Sequence, residues 1–203
     1  GDALDTSNKL PNDFDELYRY IKSYVKENQL EGSVEILRGD NSVFIRFRDN
    51  IFFDPDKSVL KNDSKNILNF LGACFNNLED KILAIRINGH TATVPNAAKT
   101  PGFDRTLSTD RANSVLIYLE EVAKVQPKKL IAIGYGRNYP VATNDTEEGR
   151  KKNRRVELLI LSNESNEANS DDLYQLLLGN FSADQIESYS DPDTSEDVLI
   201  PEQ

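Results

Sequence analysis

Residues 82–135 read ILAIRINGHTATVPNAAKTPGFDRTLSTDRANSVLIYLEEVAKVQPKKLIAIGY, and their pattern decides the fold. Ile82 to Ile87 is almost unbroken apolar sequence, which predicts a central strand covered on both faces. Thr91 to Thr106 is polar and holds Pro95, Pro101 and Gly102, which predicts a loop. Ser108 then reads as a helix N-cap with Asp110 in the first turn. Ala112, Val115, Leu116, Leu119 and Ala123 follow on the inward face. Leu130 to Tyr135 is a second strand, closed by Gly134-Tyr135-Gly136. A strand–helix–strand unit favours a parallel pair joined by a right-handed crossover.

The flanks extend this unit. Upstream, Phe14, Leu17, Tyr18, Ile21 and Val25 fall at helical spacing, with Asn12 as the expected cap and an end near Asn28. Val34 and Ile36, then Val43, Ile45 and Phe47, alternate around Gly39-Asp40-Asn41, which predicts a β-hairpin with Arg46 and Arg48 facing away. Pro55 ends the run Ile51-Phe52-Phe53-Asp54. A second helix is expected from Ser64 to Leu78, its stripe made by Ile67, Leu68, Leu71, Cys74, Phe75 and Leu78. Downstream, Arg150, Lys151 and Lys152 read as a basic loop, and Arg154 to Leu161 as the last strand. The order gives an α/β (α+β) two-layer sandwich, with a mixed sheet, helices on one face and an extra N-terminal helix.

Charge divides the 203 residues further. The net charge is −10, yet residues 163–203 hold 11 acids and no Lys or Arg, while residues 1–162 carry 23 acids against 24 bases. We therefore read 1–11 as a linker, 12–50 as helix and hairpin leading into the domain, 51–162 as the domain and 163–203 as an acidic, largely disordered tail. Within the tail, Asp171 to Leu178 and Ser182 to Tyr189 are two short helix candidates. No apolar run reaches the ~18 residues of a membrane span, and no charged and apolar leader opens the chain. Methionine is absent, so the chain is expected to lack its natural start. One cysteine and one histidine exclude an internal disulfide, a Cys-based zinc cluster and a multi-His metal site. Cys74 reads as a buried hydrophobe and His90 as a hydrogen-bonded structural residue.

The chemistry concentrates around Arg111. Three positions after Ser108, its guanidinium would stay near a helix start, where unpaired N–H groups favour an anion. The residues alone give a binder of a small anion or carboxylate, with an ordinary surface arginine as the alternative.

Ordered motifs add more. Gly89-His90-Thr91, Leu107-Ser108-Thr109-Asp110-Arg111-Ala112, Gly134-Tyr135-Gly136 with Pro140 and Asn144, Gly149-Arg150, and Asn153-Arg154-Arg155-Val156-Glu157 together resemble the OmpA-like peptidoglycan-binding family. The preceding helix, hairpin and Ile51-Phe52-Phe53-Asp54, with Val94-Pro95, are most similar to its flagellar-stator MotB branch. The resemblance covers roughly residues 12–162. It implies non-catalytic binding of the peptidoglycan stem peptide at a diamino acid, with no cofactor. Arg111 would grip the carboxylate, and Thr91, Leu107, Asp104, Asp54, Asn153 and Arg154 would share the site. Arg155 should face the other way, because strand neighbours alternate. The blander readings are a solvated basic edge for Asn153 and Arg154 and a turn residue for Asp54.

Two positions depart from the family pattern. Ala92 stands where the family has an Asp for the ligand ammonium, and Asp104 stands for an Asn. Three answers are open: Asp104 or Asp54 supplies the charge, the wall carries a different diamino acid, or weak binding is amplified by avidity. As partners, the resemblance implies a homodimer and a membrane-embedded MotA-type subunit, reached through an upstream helix in an extracytoplasmic location. The alternatives are another OmpA-like envelope protein tethering a membrane or secretion complex, a wall hydrolase or amidase, and a nucleic-acid binder. No zinc set supports the enzyme, and the acidic balance without stacking aromatics speaks against nucleic acid.

Overall fold

The computed structural model describes residues 10–95 and 98–164. The linker expected at 1–11 and the acidic tail with its two helix candidates lie almost wholly outside the described residues.

Helix α1 (Phe14–Glu27) begins where Asp13 adopts extended backbone and accepts the Glu16 N–H at 2.7 Å. The cap is Asp13 and not Asn12, whose N–H donates to the Glu16 carboxylate at 2.7 Å. A full negative charge answers the converging N–H groups better than a neutral amide does. Phe14, Leu17, Ile21 and Val25 are its buried stripe, each contributing about 1.5–3 kcal/mol of burial. Strands β1 (Val34–Gly39) and β2 (Ser42–Arg48) form the expected hairpin, with Gly39 opposite Ser42. Helix α2 (Ser64–Asn77) packs Cys74 into the core, where burial pushes the thiol up to about 12 and leaves it inert.

Strand β3 (Ile82–His90) leads to helix α3 (Pro101–Glu121) and strand β4 (Leu130–Gly136). The helix starts eight residues earlier than expected, cap to cap. Thr100 is the cap, accepting the Phe103 N–H at 3.2 Å, and Pro101 takes the first helical position. Ser108 is thus a buried mid-helix residue. Its hydroxyl donates to Arg105 O and accepts the Gly136 N–H, both at 2.9 Å, and so ties the helix to β4. The expected basic loop is in part a helix, α4 (Glu147–Asn153), capped by Thr146. Strand β5 (Arg155–Ser162) closes the chain's regular structure.

The sheet order is β1-β2-β5-β3-β4, with β3 and β4 parallel and every other pair antiparallel. The central strand is β5, buried along its whole length, and not β3, where Leu83 is exposed. β5 takes the middle because it inserts antiparallel between the hairpin and the crossover pair. Val43, Ile45 and Phe47 of β2, Ile85 and Ile87 of β3, and Val156, Leu158 and Ile160 of β5 face α1, α2 and α3 in one core. Two glycines let α3 lie close. A Cβ on Gly89 would meet Ser108 O at 2.1 Å, and one on Gly134 would meet the Thr109 hydroxyl at 2.0 Å.

Candidate functional site

The earlier start of α3 builds the site. Asp104, Leu107 and Arg111 lie three and four residues apart on one helical face. All three line a cleft of about 460 Å³, together with Thr91 and Ala92 after β3, and Arg154 after α4. Arg111 sits in the third turn of α3, so the helix N-terminus does not contribute to its charge environment as expected.

Arg111 is 2% exposed. Its Nη1 donates to the Asp49 carboxylate at 2.8 Å, its Nε to Lys57 O at 2.9 Å and its Nη2 to Asp54 O at 3.3 Å. The Phe53 ring lies 5.1 Å from the guanidinium. Among the described residues three of five N–H donors are thereby used, and two remain for a ligand. Burial pulls the Arg111 pKa down, while the Asp49 charge opposes that shift. Burial likewise raises Asp49, against the charges of Arg111 and Arg154.

The Thr91 side chain is buried on the cleft, and its hydroxyl has no hydrogen-bond partner among the described residues. The Thr91 N–H is held by Gly136 O at 2.9 Å. Such a hydroxyl on a fixed backbone is a ready contact for a bound polar group. Asp104, 4% exposed, has its carboxylate 2.5 Å from Arg137 Nε. Arg154 reaches the Glu147 carboxylate at 2.6 Å.

Five of the seven expected residues therefore meet at the cleft: Arg111, Thr91, Asp104, Leu107 and Arg154. Two do not. Asp54 presents only its carbonyl to Arg111 and turns its carboxylate to Lys57 at 3.7 Å, because Pro55 turns the chain there. Asn153 is fully buried beside the cleft and clamps the preceding loop. Its Oδ1 accepts the Val141 and Ala142 N–H groups at 2.7 and 2.9 Å, and its Nδ2 donates to Ala142 O at 2.8 Å. Nor do Asn153 and Arg154 form a guard for an edge strand, since β5 is central. Arg155 faces away from the cleft, as alternation requires. It joins Glu157 at 2.6 Å, with His90 Nε2 3.2 Å from the same carboxylate group.

Sequence reasoning missed Asp49, Asp56, Lys99 and Glu147 in the cleft lining. Glu147 had a signal, the three-residue spacing to Arg150 that pairs them at 3.0 Å on a helix. Asp49 had none, since it falls just past the alternation of β2. At Ala92, where a family member would offer an acid, the cleft wall is apolar. The lining cations Arg48, Lys99, Arg111, Lys151 and Arg154 face Asp49, Asp56, Asp104 and Glu147, so the cleft suits a zwitterionic or anionic group.

A mixed sheet with helices on one face, and a cleft between the end of β3, one face of α3 and α4, define a ligand-binding module. Residues 52–154 match the OmpA family, and the chain belongs to it. Motility protein B of Bacillus subtilis (strain 168) is 35% identical over 155 residues, covering 73% of this chain and 56% of that protein. The chain spans little more than half the length of the curated relatives it matches first. A MotB-like protein from Desulfovibrio vulgaris superposes with a TM-score of 0.62 at 25% identity, over 75% of this chain and 93% of that one. The periplasmic domain of Helicobacter pylori MotB shares the fold, with a TM-score of 0.56 at 21% identity, over 73% of this chain and 94% of that one.

Proposed function

We propose that this chain is a non-catalytic peptidoglycan-binding domain that anchors a flagellar-motor stator to the cell wall. One observation carries the reading. The cleft gathers Arg111 with two N–H donors and the Thr91 hydroxyl, all uncommitted among the described residues, and the Leu107 side chain, at the positions of the family's motifs. A stem-peptide carboxylate fits Arg111, and its ammonium needs an acid that Ala92 cannot supply. Asp104 is the better compensating group, because its carboxylate lies on the cleft and that of Asp54 does not.

The same reading gives the domain an extracytoplasmic location and a homodimeric state. Two weak grips on one polymer then act with a high effective concentration. A MotA-type membrane subunit would be reached through sequence preceding the domain. One membrane helix with an acidic residue there supports the stator, whereas a lipid-attachment motif or a barrel assigns the anchor to another envelope complex.

Co-sedimentation with purified peptidoglycan tests the proposal. Thr91→Val is expected to weaken binding several-fold, the loss of one neutral hydrogen bond. Asp104→Asn is expected to weaken it about tenfold, as one charge-assisted bond of ~1.5–3 kcal/mol is lost. Asp54→Asn should bind like the parent. A parent chain that stays in the supernatant rejects the function. Equal binding by the parent and Asp104→Asn rejects the compensation alone.

A further inference from the structure

Two successive rungs of charge cross the sheet face opposite the helices, and they differ. On the first, Arg46 of β2 lies between Glu35 of β1 and Glu157 of β5. It reaches both carboxylates, at 3.0 and 3.1 Å, so acid and base alternate across three strands. On the next, Arg48 is paired directly with Arg155. Like charges opposed on neighbouring strands destabilise a sheet. The acid that holds Arg155 is Glu157, at 2.6 Å, and it is already shared with Arg46. A rung built for stability alone would carry an acid at one of the two positions.

Both arginines line a pocket of about 200 Å³, with Ser33 ahead of β1, Lys152 of α4 and Val141 from the loop that Asn153 clamps. Donors are left over there. Arg155 donates from Nε to Glu157 and from Nη1 to Asn153 O, at 2.6 and 3.2 Å. Its Nη2 has no hydrogen-bond partner among the described residues, and an unanswered guanidinium N–H costs free energy. Neither Arg48 nor Lys152 makes an ion pair or a side-chain hydrogen bond among the described residues. Of the two lining acids, Glu35 is held by Arg46, and Glu31 makes no ion pair among the described residues. Three cationic groups, from β2, α4 and β5, thus converge on one pocket with donors to offer.

We propose that this pocket is a second oxyanion subsite, which takes a carboxylate of the same wall polymer that the cleft binds. The wall as its source rests on the function proposed above; the affinity for an oxyanion does not. The pocket adjoins the cleft. Lys151 and Arg154 line the cleft, the residues that follow them, Lys152 and Arg155, line the pocket, and Arg48 borders both. A planar carboxylate matches the fork of one guanidinium and keeps lone pairs for the other cations. The Arg48–Arg155 rung then gains from the ligand the acid it lacks. Occupying both sites lengthens the hold on one polymer, because the second contact forms at high effective concentration once the first is made. A phosphodiester of another wall polymer would offer similar oxygens, and the test separates the two sources.

Inorganic phosphate is the first probe, titrated into the isotope-labelled full chain. Amide shifts at Ser33, Arg48, Val141 and Lys152 should saturate. Lys152→Glu, at an exposed position of α4, should raise the apparent Kd for those shifts about tenfold or more. Unchanged amides at Val43 and Leu158 show that the variant is folded. No saturable shift at these residues, or equal affinity in Lys152→Glu, overturns the subsite. Co-sedimentation then identifies the source, using purified peptidoglycan before and after removal of phosphodiester-linked polymers. Lys152→Glu should bind several-fold less than the parent on both preparations. An effect lost together with the phosphodiesters overturns the carboxylate assignment. A parent chain that fails to sediment rejects the wall as the source, whereas the phosphate titration still decides the pocket.

Discussion

Two arginines of this domain are almost completely buried, Arg111 in α3 and Arg155 in β5, and each is paired to a carboxylate. Their surroundings differ. Arg155 and Arg46 converge on Glu157 inside the sheet, at 2.6 and 3.1 Å. Burial would raise the Glu157 pKa, yet the guanidinium charges hold it well below the usual range. His90, pushed to its neutral form by burial, adds a hydrogen bond and not a charge. Asp49, the partner of Arg111, is shifted the other way, because burial outweighs one close guanidinium and the more distant Arg154. One pair knits strands together. The other borders a cleft and keeps donors for a ligand.

The largest expected effect breaks the sheet pair. Glu157→Gln leaves the buried Arg155 guanidinium without its counter-charge and Arg46 with Glu35, and urea unfolding should register a loss of about 3–5 kcal/mol. Asp49→Asn should cost less, about 1–3 kcal/mol, because the cleft admits water to the remaining charge. Equal losses would mean that the two pairs are energetically alike.

The pH dependence separates them by sign. Glu157 has a depressed folded pKa, so its contribution is present above pH 4.5 and is lost as pH falls toward the folded value. Asp49 has a raised folded pKa, so its contribution is present below pH 3.8 and is lost as pH rises through the folded value. Stability profiles from pH 2 to 7 should therefore become flatter at the acid end in Glu157→Gln, while the cost of Asp49→Asn should be largest at the acid end and shrink as pH rises through the folded Asp49 value. The smallest effect concerns the seam between α3 and β4. Ser108→Ala removes the acceptor for Gly136 N–H, and thermal unfolding should report about 1 kcal/mol.

The same contrast explains what could be read from the sequence. Alternation in Val43, Ile45, Phe47 and in Val156, Leu158, Ile160 is a direct image of the helix-covered face, and the two-layer fold followed from it. The start of α3 was hidden because its buried residues include Asp104, Ser108 and Arg111, so hydrophobic periodicity is silent over its first half. Thr100-Pro101 carried the capping signal, with Gly102 and Pro101 reading equally well as loop residues. Sheet order was not legible, since β5 reaches the centre through long-range pairing that no local pattern encodes. Motif positions identified five cleft residues. They could not show that Asp54 turns outward, that Asn153 is a loop clamp, or that Asp49 neutralises Arg111.

The central claim is that the cleft beside Arg111 holds the wall peptide. Titration of the isotope-labelled chain with a purified stem-peptide fragment, followed by amide chemical shifts, tests it most directly. Shifts confined to the residues around Thr91, Leu107 and Arg111, and lost in Thr91→Val at equal ligand concentration, are the predicted result. A saturating titration whose shifts cluster away from these residues, or are unchanged by that substitution, contradicts it.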